Sequence, residues 1–111
     1  LPRPKEEALD PEQAEELEAL FSKHACLEMA KEAALRMREL LQAWAQAADA
    51  SKRRELRHAL RGVAMSYGAR RVAELVREPL DAARIEEEIE AFWQACRARW
   101  EDAGDASAGG A

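Results

Sequence analysis

The chain has 111 residues, of which nearly half are hydrophobic, and a formal charge of −5; that length suits one domain with one modest core. An acidic balance argues against nucleic acid and against an anionic membrane surface, both of which favour a basic face that neutralises phosphates. No apolar run approaches the roughly 20 residues that span a bilayer and no signal peptide is visible, so a soluble, cytoplasmic protein is expected.

Residues 1–9, with Pro2 and Pro4, read as a flexible leader. Asp10 followed by Pro11 is a strong helix start, an N-cap with proline at the first helical position. Between Pro11 and Ala48 there is neither Gly nor Pro. Leu17, Leu20 and Phe21 form a short apolar stripe, and Leu27, Ala30, Ala34, Met37, Leu41, Trp44 and Ala48 form a long one in alternating steps of three and four. A short first helix and a long second one are predicted, with a bend near Ser22 to His24. The turn is placed at 48–51, where Asp49 and Ser51 are both N-cap candidates.

The third helix runs from Ser51 toward Tyr67, where Gly68 interrupts it. Val72, Leu75 and Val76 carry the apolar face onto a fourth segment that Pro79 must end or kink. Asp81 can cap the last helix, whose stripe is Ile85, Ile89, Phe92, Trp93, Cys96 and Trp100. Residues 104–111 are small and polar and read as a flexible tail, leaving 10–103 as the folded unit. With no Thr and only three Val and two Ile, the composition is helical throughout. Short connections between amphipathic helices imply antiparallel neighbours, hence an all-α, up-and-down bundle.

Three features bear on function. Cys26 and Cys96 lack metal-ligand companions at CxxC spacing and sit in apolar patterns, which points to buried reduced thiols. Trp44, Trp93 and Trp100 fall at core spacing and are assigned to packing. Between Ser51 and Arg71, Lys52, Arg53, Arg54, Arg57, Arg61, Arg70 and Arg71 oppose the single acid Glu55. A basic region inside an acidic chain should attract an acidic partner.

On a helical wheel, Leu56, Leu60, Val63 and Tyr67 share the core side of the third helix, and His58 lies opposite. Arg54, Arg61, Gly62 and Met65 fall within roughly 60° of His58. Exposed imidazole is substantially neutral at pH 7, so one ring nitrogen keeps the lone pair needed to attack phosphorus. Arg61 can neutralise phosphoryl oxygens, Gly62 leaves room beside the ring, and Met65 offers an adaptable apolar contact. His24 lacks such company and is given no role. No nucleophile-and-base pair, phosphate-cradling Gly loop or nucleotide motif points to an autonomous enzyme.

The run from His58 to Ala69 resembles the signature of histidine-containing phosphotransfer (HPt) domains: His, two residues, Lys or Arg, Gly, and a second Gly six residues later. His58, Arg61, Gly62 and Gly68 fit it, and the helix plan is similar to the family's four-helix bundle with an additional short N-terminal helix. The resemblance implies a monomeric phosphorelay intermediate rather than an enzyme. It would take a phosphoryl group from a receiver-domain aspartate, in a response regulator or a hybrid sensor kinase, and pass it to another receiver. No cofactor of its own is implied, because the receiver supplies Mg²⁺.

By position His58 would be the acceptor and Arg61 the phosphate-stabilising residue, with Arg54, Arg57, Gly62 and Met65 on the partner-binding face. Arg57 stands where the family usually has a small residue. Pro79 and Leu80 fall where the family tends to continue the helix and place a Gln or Glu that orients the ring. Asp81, one residue displaced, is the candidate for that role. The alternative is a module that docks a partner through the same face without transferring anything.

Overall fold

The computed structural model describes residues 8–77 and 79–110, with 102–110 by backbone alone. The described residues are all-α, with five helices among them: α1 (Pro11–Leu20), α2 (Lys23–Gln46), α3 (Ala50–Ser66), α4 (Arg70–Leu75) and α5 (Ala82–Gly110). Asp10, Asp49 and Asp81 cap helices as expected, and Ser22, expected only at a bend, caps α2. The Asp10 carboxylate accepts from the Glu12 N–H at 3.1 Å, the Ser22 hydroxyl from Ala25 at 3.1 Å, Asp49 from Lys52 at 2.9 Å and Asp81 from Arg84 at 3.1 Å, each satisfying a donor that the first helical turn leaves open. The bend between the first two helices is at Phe21 and Ser22.

The long helices α2 and α5 pack against each other, α3 lies on α2, and α4 bridges α3 and α5. The α5 stripe of Ile85, Ile89, Phe92, Cys96 and Trp100 is buried against Cys26, Ala30, Ala34, Met37 and Leu41 of α2 and Leu60 and Ala64 of α3 within one core. Small residues on α2 permit close approach of its neighbours. Outside the core, Arg38 of α2 reaches Glu86 and Glu90 of α5 at 2.9 and 2.7 Å. Glu18 ties α1 to the end of α5, accepting from Arg99 at 3.1 Å and from the Trp100 indole at 2.7 Å.

Four expectations are corrected. The leader does not extend to residue 9. Ala8 and Leu9 are buried, and the Asp10 N–H donates to the Gly68 carbonyl at 2.7 Å, so the chain is pinned before α1 begins; residues 1–7 lie outside the described residues. At the other end the helical backbone of α5 continues to Gly110, through the part of the expected tail that is described. Trp44 is half-buried at the end of α2, with the Arg53 guanidinium 4.7 Å above its ring, a cation–π contact that substitutes for core packing. Arg71 leaves the basic face: it is buried and paired with Glu88 of α5 at 3.0 Å, because α4 turns that side inward.

Gly68 ends α3. Its φ of +80° is the left-handed conformation that glycine adopts without a Cβ penalty, and the Ala69 N–H returns to the Ala64 carbonyl at 2.8 Å, the closing bond of a Schellman cap. A Cβ on Gly68 would stand 3.0 Å from Cβ of Gln13. The reversal at Gly68 lets α4 start at once and lie beside α3, and that placement forms the site.

Candidate functional site

His58 is exposed near the middle of α3, held by the burial of Leu60 and Ala64 on the opposite side and by Leu56, Val63 and Tyr67 packed at the core edge. It does not stand on an open convex face. A depression of about 730 Å³ lies where α3 meets α4 and the turn after it, lined by Arg57, His58 and Arg61 from α3 and by Ala73, Glu74, Val76 and Arg77. Among the described residues, the side chains of Arg57, Arg61, Arg77 and Glu74 therefore line this depression together with the imidazole.

The expected site residues divide into three groups. Arg57 and Arg61 are in the cleft with His58. Met65 is 55% exposed and lines an adjoining depression of about 400 Å³ that shares Arg61, Ala73 and Glu74 with the first and extends to Asp10, Gln13 and Arg70. Arg54 is exposed one turn before His58 but lines neither depression, and Asp81 also lies outside both, its carboxylate engaged in capping α5.

Gly62 is exposed, and a Cβ built there would meet nothing within 4 Å. Neither helix packing nor backbone conformation requires a glycine at this position. A mid-helix glycine is unfavourable by about 0.5–1 kcal/mol relative to alanine, and no contact within the described fold offsets that. The two glycines of the motif thus differ in kind: Gly68 is demanded by the chain's own geometry, Gly62 is not.

Glu74 and Arg77 were missed in the sequence, although a signal was present. Arg70 and Glu74, four residues apart, share the polar side of α4 opposite Val72, and Arg77 follows in the turn beyond its end; only the packing of α4 on α3 brings Glu74 and Arg77 to the depression that His58 lines. The basic region is also less uniform than its composition suggests. Arg71 is buried, the Arg53 Nε donates to the Ala47 carbonyl at 2.8 Å, and Arg70 lies 3.8 Å from Asp10.

Other reactive groups stand apart from it. Cys26 and Cys96 are free and buried, and burial pushes the Cys96 thiol up to about 12, far from the thiolate that nucleophilic or metal chemistry needs. Among the described residues no group of His, Cys, Asp or Glu could hold a metal ion, and no helix is long and apolar enough to cross a membrane. His24 is exposed at the start of α2, away from the cleft.

The arrangement places an exposed imidazole, guanidinium groups and a carboxylate along one depression. Comparison of the chain with family models, with characterised proteins and with solved structures finds no match, so the chemistry of the cleft is argued from its residues.

Proposed function

We propose that the chain is a phosphorelay carrier of the histidine-containing phosphotransfer type, in which His58 accepts a phosphoryl group from a receiver-domain aspartate and passes it to a second receiver. The observation that carries this reading is one turn of α3, where an exposed imidazole has Arg61 beside it and open space at Gly62. That space has no use inside the fold. It gives clearance to a phosphoryl group and to the partner that delivers it.

In the accepting step the imidazole lone pair forms the N–P bond, the P–O bond of the aspartyl phosphate breaks, and the partner's carboxylate is restored. The reverse sequence at a second receiver passes the group on. Arg61 neutralises phosphoryl oxygens by charge-assisted hydrogen bonds, while Mg²⁺ belongs to the receiver. Glu74, which shares the cleft with His58, takes the ring-orienting role first sought at Asp81: a carboxylate accepting one ring N–H leaves the lone pair on the other nitrogen. In this reading α2 to α5 form the family's up-and-down antiparallel four-helix bundle and α1 is the added helix. Arg54, Arg57, Gly62 and Met65 lie on the docking face of a cytoplasmic monomer.

The test is to mix the protein with a phosphorylated receiver domain. Label should move onto the wild-type chain in acid-labile form and should be absent from His58→Gln. Equal labelling of the variant would overturn the assignment of His58. A complex that forms equally with wild type and variant while neither is labelled would replace the carrier with a docking module.

A further inference from the structure

Arg71 of α4 and Glu88 of α5 are both buried, each 8% exposed, and they meet through two parallel bonds. The Arg71 Nε donates to Oε1 of Glu88 at 3.0 Å and its Nη2 to Oε2 at 3.2 Å. Arg84, one turn before Glu88 on α5, lies 3.8 Å from the same carboxylate. Charges taken out of water in this way add little net stability, because lost hydration offsets their attraction, and apolar side chains of similar volume serve as well or better. What the pair adds is direction. A planar guanidinium fork on a carboxylate holds one orientation, whereas the burial of Val72 and Val76 on the same segment is non-directional.

Direction matters at α4 because the helix has only six residues, too few to be stable in isolation. Its N-cap, Ala69, brings no side-chain hydrogen bond. Its placement is therefore set by what it packs against. Glu74 stands one turn beyond Arg71 and, with Ala73, lines the depression that His58 lines from α3. A change of register or rotation at Arg71 is carried to Glu74.

We infer that Arg71 and Glu88 are positioning residues for His58: the pair fixes α4 against α5 so that the Glu74 carboxylate stays on the wall of the depression that His58 shares. This rests on the reading of His58 as the phosphoryl acceptor and of Glu74 as the group that orients its ring. It extends the site to two residues that do not line the depression.

The test compares wild type with Arg71→Met/Glu88→Leu, which replaces the pair by apolar side chains, and with Arg71→Lys, which keeps the charge and loses the fork. Two quantities are read: the tautomer ratio of the neutral His58 ring, from its ring nitrogen chemical shifts, and the rate of labelling by a phosphorylated receiver. The chain has two histidines, so His58→Gln assigns the signals and His24 is the internal reference. Both variants, shown to be folded by circular dichroism, should move the His58 tautomer ratio in the direction that Glu74→Ala moves it. They should also slow labelling roughly tenfold or more, the usual effect of losing a group that orients a reactive residue. His24 should not move. Arg38→Gln, which cuts the exposed tie from α2 to Glu86 and Glu90 of α5, should change neither quantity.

A folded double variant with the ring and the rate of wild type would overturn the inference, and where the double variant does not fold Arg71→Lys decides by the same criterion. An unchanged His58 ring in Glu74→Ala would overturn it as well. So would an equal response to Arg38→Gln, because any loosening of α5 would then suffice. Absence of label from wild type would remove the relay reading, while the tautomer ratio would still decide whether the pair positions the ring.

Discussion

At the scale of the residue, the motif's two glycines should respond in opposite ways to the same substitution. Gly62→Ala adds a methyl group where nothing stands within 4 Å and should raise stability by about 0.5–1 kcal/mol in urea unfolding. Gly68→Ala forces a side chain onto a φ of +80° and against Gln13, so it should lower stability by about 1 kcal/mol or more. A stability loss at Gly62 would mean that the fold itself needs that glycine and that the open space there is not kept for a partner. Cys96 permits a second check. With its thiol pushed up to about 12 by burial, a thiol-reactive reagent at mildly alkaline pH should modify it only as fast as the protein unfolds. Immediate modification of the native chain would contradict its place in the core.

At the scale of the element, α1 is joined to the end of α5 through Glu18, whose carboxyl lies below its usual range chiefly because the Arg99 guanidinium hydrogen-bonds to it. A carboxylate with a lowered folded-state pKa contributes stability above its unfolded value, and that contribution disappears as pH falls through the folded value. Wild type should therefore lose more stability than Glu18→Gln between neutral pH and the acid range in thermal melts. Parallel losses would show that the tie carries no pH-dependent energy.

Much of this element plan is legible in the sequence, because its signals are local: the Asp10-Pro11 start, the Asp49 and Asp81 caps, the break at Gly68 and the period of the α2 and α5 stripes. Partners distant along the chain are not. Nothing near Glu18 announces Arg99 and Trp100, and nothing near Arg71 announces Glu88, so Arg71 reads as a surface cation until α4 is docked. Trp44 fits the core period of α2 but lies at the helix end, where Arg53 covers it.

At the scale of the whole molecule, the site is a property of two elements, whereas the signature lies on one. The wheel of α3 is enough to expose His58 and to bring Arg61 and Gly62 beside it. It does not show the cleft, because the far wall with Glu74 and Arg77 depends on how the chain reverses at Gly68. The reversal also explains why Asp81, nearer to the position a continuous helix would favour, serves as a cap instead: α4 ends at Leu75, and Asp81 belongs to the start of α5.

The central claim is that the imidazole of His58 carries the phosphoryl group. Its most direct test is to incubate the protein with a phosphorylated receiver domain and Mg²⁺, digest it at alkaline pH, and locate the modification by tandem mass spectrometry. The account predicts a phosphoryl group on His58 that is lost on brief acid treatment. An acid-stable group on Ser66 or Tyr67, or a phosphohistidine at His24 with His58 unmodified, would contradict it.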